Sequence, residues 1–118
     1  DTLPYNAHTT ASDALWAGLP VLTCVGKTFP GRVAASLLNT MGLQQLVTAN
    51  PEEYMEHAVA LAGDPARLSA LRDLLQARRQ TSALFDTPRF ARHIENAYRL
   101  MLERQREGLP ADHLFIRD

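Results

Sequence analysis

The run PVLTCV, residues 20 to 25, is β-branched and apolar on both faces. Successive side chains of a strand point to opposite faces, so such a run has to be covered on both, as in a parallel sheet whose crossovers are helices. The flanking sequence supplies those crossovers. Residues 10–17 read as a short helix stopped by Gly18 and Pro20, because glycine tolerates the left-handed C-cap and proline cannot continue a helix. After the loop GKTFPG, the segment RVAASLLNTMG reads as a helix with Gly42 as its stop, and LQQLVT as another short strand. The opening DTLPY reads as the end of a strand whose partners lie upstream, and the chain starts at Asp1 rather than Met, so a piece of a longer protein is expected. Strand, helix, strand, helix, strand makes the fold class α/β with a Rossmann-like half-sheet.

The second half is helical. Asn50-Pro51, Asp64-Pro65 and Thr87-Pro88 each set a capping side chain before a proline at the first helical position, which predicts three helix starts. In the last helix Phe90, Ile94, Ala97, Tyr98 and Met101 form one apolar stripe that is expected to bury against another element. Leu68, Leu71 and Leu75 do the same in the helix before it, with QTSALFDTP as the loop between. Residues 1–49 are therefore assigned to a Rossmann-like portion and 50–118 to the C-terminal helices and tail of the same domain.

Twelve Lys and Arg against thirteen Asp and Glu leave a net charge of −1, which points away from nucleic acid and membrane surfaces as partners. The single Cys24 forms no internal disulfide and no cysteine metal site, as suits a cytoplasmic chain. There is no signal-peptide pattern, and no apolar run approaches the ~18 residues of a membrane span.

The polar run NAHTTASD, residues 6 to 13, carries the chemistry. If a helix begins near Thr10, its first-turn N–H groups lack intrahelical partners and face the preceding loop, where helix polarity favours an anion. The hydroxyls of Thr9 and Thr10 and the imidazole of His8 add donors suited to a phosphate. Asp13, one turn on, repels phosphate but accepts from neutral hydroxyls such as those of a ribose. A second reading stands beside this one: Thr10-x-x-Asp13 also satisfies the capping box, which needs no ligand.

Elsewhere the signals are weaker. Gly26-Lys27-Thr28 matches the end of a P-loop, but the earlier glycine the motif requires is absent from the apolar run before it, and Pro30 and Gly31 interrupt the helix that should follow. Arg32 starts the next helix as a surface or ligand-facing cation. Trp16 is read as a packing residue, His57 and His93 as solvated, and His113 in the tail is undecided.

Taken together, PYNAHTTASDALWAGLPVLT, GRVAASLLNTMG, SALFDTPRF and GLPADHLF resemble successive parts of the catalytic region of the O-linked N-acetylglucosamine transferases, glycosyltransferase family 41, across nearly the whole chain. The resemblance implies the C-terminal portion of a GT-B donor-binding domain. The implied enzyme transfers N-acetylglucosamine from UDP-N-acetylglucosamine to Ser or Thr hydroxyls of an acceptor protein, with inversion and without a cofactor or divalent metal. Its other lobe and a tetratricopeptide-repeat array would lie in the same polypeptide. The family's His-Thr-Thr falls on His8, Thr9 and Thr10, which implies diphosphate binding, and its ribose-holding acid falls on Asp13. Lys27 and Arg32 become donor-site neighbours, and no general base is identified.

Two positions depart from the family pattern. Ala7 replaces the usual Gly, a tightening if that position needs positive φ. Val25-Gly26-Lys27-Thr28 replaces Pro-Gly-Glu-Thr, reversing a charge and leaving donor affinity and sugar choice open. The alternatives are another sugar-nucleotide GT-B enzyme, such as a small-molecule glycosyltransferase or epimerase, and a non-catalytic helical interaction module.

Overall fold

Two parallel strands anchor the first half of the chain: β1 (Thr23–Cys24) pairs with β2 (Val47–Thr48), Thr23 opposite Val47 and Cys24 opposite Thr48. The structure, a computed structural model, describes residues 1–117 and contains two compact units, Asp1–Phe85 and the residues from Asp86 onward. The helices of the first unit are α1 (Thr9–Trp16), α2 (Val33–Thr40), α3 (Pro51–Ala62) and α4 (Pro65–Arg78).

The run PVLTCV behaves as its composition requires. Thr23 and Cys24 are buried, Val21 and Leu22 pack half-buried against the core, and both α2 and α3 contact β1. The Val25 N–H extends the ladder to the Thr48 carbonyl at 2.9 Å, and the Thr48 hydroxyl donates to the Thr23 carbonyl at 2.9 Å. Beneath the strands lies a leucine-rich core that includes Leu15 of α1, Leu38 of α2, Leu61 of α3, and Leu71 and Leu75 of α4.

Two strand expectations are corrected. Residues 3–5 form bends, and none of residues 1–5 is paired as a strand among the described residues. The Asp1 carboxylate accepts the N–H groups of Thr2 at 2.7 Å and Ala7 at 2.6 Å, while the Thr2 hydroxyl donates to the Tyr5 carbonyl at 2.7 Å. In LQQLVT, Gln44–Leu46 wind into a 3₁₀ turn, and only Val47 and Thr48 are extended.

Helix punctuation follows the sequence closely. Gly18 and Gly42 adopt φ of +80° and +70° just beyond the C-caps of α1 and α2. Asn50 caps α3 by accepting the Glu53 N–H at 2.9 Å, while Glu53 reaches back to the Ala49 N–H at 3.0 Å. Asp64 caps α4 through the Arg67 N–H at 2.9 Å. Arg78, at the far end of α4, donates from Nη1 to the carbonyls of Met41 (2.8 Å) and Gly42 (2.6 Å), so one cation closes the C-terminus of α2.

The second unit is α5 (Thr87–Arg106) with its tail. Its cap is Asp86, one residue before the expected Thr87, and accepts the Arg89 N–H at 3.0 Å. No residue of α5 is buried: Phe90, Tyr98 and Met101 stay 64%, 65% and 53% exposed, so the burial expected of the stripe is not met within the described residues. The chain turns at Gly108 (φ +70°), and Arg104 holds the tail by donating to the Pro110 carbonyl at 2.5 Å. Among the described residues no helix is long and apolar enough to cross a membrane.

Candidate functional site

Helix α1 begins at Thr9, with His8 as its N-cap, and no side chain caps it. The first helical bond runs from the Ser12 N–H to the His8 carbonyl at 3.0 Å, which leaves the N–H groups of residues 9, 10 and 11 without intrahelical acceptors. Thr10 is therefore the second residue inside the helix and not its cap, and the reciprocal Thr10–Asp13 capping box does not form. The side chains of Thr9, Thr10 and Asp13 are exposed, and none bonds a described residue. Open amides and two uncommitted hydroxyls thus share one helix entrance, with the Asp13 carboxylate a turn further along.

His8 is held more firmly than a loop histidine read from sequence. Its Nε2 lies 3.3 Å from the Pro30 carbonyl, and its ring stacks on Tyr5 (centroids 4.8 Å apart, 21° between planes) with the Phe29 ring edge-on at 6.4 Å. A carbonyl only accepts, so Nε2 carries the proton in this arrangement and Nδ1 remains for a ligand.

The Pro30 carbonyl also accepts the Asn6 N–H at 3.1 Å, which joins the loop before α1 to the loop between β1 and α2. That second loop is closed by the Gly26 N–H on the Gly31 carbonyl at 2.6 Å. A Cβ at Gly31 would lie 3.1 Å from the Pro4 carbonyl oxygen and 3.2 Å from the Gly26 Cα, so glycine is what lets the two loops meet. Lys27 and Arg32 ride on this loop. Lys27 is exposed, while Arg32 turns its guanidinium onto the Lys27 carbonyl at the head of α2. The GKT stretch leads into a turn, and α2 starts only at Val33, in keeping with the rejected P-loop.

Sequence spacing did not single out Asn6, yet it is 1% exposed and forms the floor of the loop. Its Nδ2 donates to the Thr2 carbonyl at 3.1 Å, while its Oδ1 is buried with no partner among the described residues. No local signal separates such an Asn from an ordinary turn residue. Trp16 packs as expected, edge-on to Phe85 at 5.0 Å with the Arg79 guanidinium 5.1 Å from its ring centre. His57 departs from its solvated reading: it is half-buried, and its Nδ1 is buried without a partner among the described residues. His93 is likewise half-buried and His113 exposed. A cavity of about 740 Å³ lies between α5 and its tail, and its lining includes Ala97, Met101, Arg104 and Leu109.

The model of the glycosyl transferase family 41 matches residues 1–94. The chain belongs to this family. A Solanum lycopersicum relative, described as a probable UDP-N-acetylglucosamine–peptide N-acetylglucosaminyltransferase SPINDLY, is 42% identical over 108 residues, which cover 92% of this chain and 12% of the relative. The UDP-N-acetylglucosamine–peptide N-acetylglucosaminyltransferase of Caenorhabditis elegans is 35% identical over 97% of this chain and 10% of its own length. Among solved structures, a mutant O-GlcNAc transferase of Thermobaculum terrenum superposes with a TM-score of 0.79 at 40% identity, covering 86% of this chain and 19% of that one. The chain thus spans about a tenth of the length of its curated relatives, and its mixed helices and small parallel sheet match one part of a GT-B catalytic region. Within family 41, Ala7 is an unstrained replacement: among the described residues no non-glycine has positive φ, so position 7 does not need glycine.

Proposed function

We propose that this chain is the donor-binding part of a protein O-N-acetylglucosaminyltransferase, an inverting enzyme that transfers N-acetylglucosamine from UDP-N-acetylglucosamine to Ser or Thr hydroxyls. Family membership supports the reaction class, and the uncapped start of α1 carries the site assignment. As the glycosidic bond to UDP breaks, negative charge grows on the β-phosphate. Donors already aimed at that charge lower the barrier without reorganising. The amides of residues 9–11 and the hydroxyls of Thr9 and Thr10 supply such donors, with the His8 ring beside them on the diphosphate and Lys27 and Arg32 as cations on the neighbouring loop. Asp13 accepts from the ribose hydroxyls. The diphosphate charge is assigned to these groups and not to a divalent metal, so a chelator should leave the rate unchanged.

The other lobe, the tetratricopeptide repeats that present acceptor proteins, and the general base belong to the rest of the polypeptide under this proposal. A cytoplasmic setting is supported by the free, buried Cys24. Lys27, where the family pattern has an acid, makes a panel of sugar nucleotides the right donor assay.

The test is calorimetry of UDP binding to the whole polypeptide that carries this chain. Each hydrogen bond to a charged group contributes about 1.5–3 kcal/mol, so Thr9→Val with Thr10→Val should weaken UDP binding at least about tenfold. Asp13→Asn should weaken UDP more than inorganic diphosphate. Folded variants that bind UDP as tightly as wild type would sink the assignment.

A further inference from the structure

We propose that Asp1 is a positioning residue for the donor loop, acting through a carboxylate bridge from the loop backbone to β1. The inference rests on the donor-binding reading above and assigns it a part of the machinery that no motif names.

The carboxylate of Asp1 has one oxygen on each side of the junction. Oδ1 accepts the Ala7 N–H, that of the 6–7 peptide, at 2.6 Å, and also the Thr2 N–H at 2.7 Å. Oδ2 accepts the Thr23 hydroxyl at 2.5 Å. Thr23 is fully buried at the start of β1, and its backbone is fixed by pairing with Val47 and by the Thr48 hydroxyl on its carbonyl. From α3 the Tyr54 hydroxyl lies 3.4 Å from the Asp1 carbonyl oxygen.

The bridge does two things to the site. It turns the Ala7 N–H inward, so the amides left without an acceptor begin at His8, directly ahead of the Thr9 and Thr10 hydroxyls. It also ties the height of the loop to the sheet, complementing the Pro30 carbonyl, which holds Asn6 and His8 from the other side. Charge-assisted bonds of this length are the strong kind, and a single rotamer of one short side chain makes all three. An apolar residue at position 1 would leave the buried Thr23 hydroxyl without its acceptor and the 6–7 peptide free to rotate.

Asp1→Ala, Asp1→Asn, Thr23→Val and Thr23→Ser are compared in the whole polypeptide, by UDP calorimetry and by steady-state kinetics with donor and acceptor varied separately. Displacement of reacting groups by about 1 Å costs up to about a hundredfold, so Asp1→Ala and Thr23→Val should lower kcat/KM for the donor by about ten- to a hundredfold. UDP binding should weaken in parallel, with the acceptor KM unchanged. Thr23→Ser, which keeps the hydroxyl, should restore wild-type values, and Asp1→Asn, which keeps an acceptor for the Ala7 N–H, should fall between. If Asp1→Ala does not fold, the Thr23→Val and Thr23→Ser pair decides alone. A folded Asp1→Ala or Thr23→Val that binds UDP like wild type overturns the positioning role and leaves the donor site standing. A wild-type protein that does not bind UDP overturns the donor site itself, and the positioning role with it.

Discussion

Gly42→Ala tests the junction between α2 and α4, where two costs fall on one added methyl. Gly42 has φ of +70°, and an L-residue forced into that region costs about 1–2 kcal/mol. The new Cβ would also lie 2.1 Å from Arg78 Nη1 and 3.0 Å from its Cζ, so the guanidinium must leave. Its two bonds, to the carbonyls of Met41 at 2.8 Å and Gly42 at 2.6 Å, go with it. Bonds to a charged donor contribute about 1.5–3 kcal/mol, but a half-buried arginine regains water when displaced, so the net loss is about 1–2 kcal/mol. The sum is about 2–4 kcal/mol, read by denaturant titration. A cycle with Arg78→Ala separates the parts: once the guanidinium is gone, Gly42→Ala should cost only the backbone strain, about 1–2 kcal/mol, with the difference appearing as coupling. Equal costs in both backgrounds would show that Arg78 does not fill the space beside Gly42. A Gly42→Ala change within about 0.5 kcal/mol of wild type would refute the left-handed conformation as well.

Gly31→Ala should push the Pro4 and Pro30 loops apart by a few tenths of an ångström, costing about 1–3 kcal/mol, and should weaken UDP binding through the displaced His8; thermal unfolding and calorimetry on the same sample check both. Trp16→Leu removes the edge-on contact with Phe85 and the Arg79 cation over the ring, and should destabilise by about 1–2 kcal/mol without changing UDP affinity. A change in UDP affinity there would mean that Trp16 belongs to the site and not to the packing.

The features that were legible in the sequence are those whose partners lie within a few residues. Asn50 and Asp64 announce their helices because a side chain three residues from an open N–H can reach it, and proline in the first turn loses nothing. Gly18 and Gly42 mark helix ends because left-handed backbone is local too. PVLTCV required cover on both faces, and Thr9, Thr10 and Asp13 were recognisable as candidates from residue type and spacing. Which of two local patterns Thr10 joins was another matter. The capping box and the anion site make the same demand on its spacing, and only the start of α1 one residue earlier separates them.

Tertiary structure alone decided what holds the site in shape. The Pro30 carbonyl meets the His8 ring across 22 positions, the Thr23 hydroxyl meets the Asp1 carboxylate across 22, and Arg78 closes α2 from 37 residues away. No periodicity records such pairings, because each depends on where crossovers bring two loops and not on the residues beside either partner. The sequence by itself therefore determined the fold class, the capped starts of α3 and α4, the glycine stops of α1 and α2, and the list of candidate site residues. The conformation of the loop that carries them came from long-range hydrogen bonds between side chains and backbone.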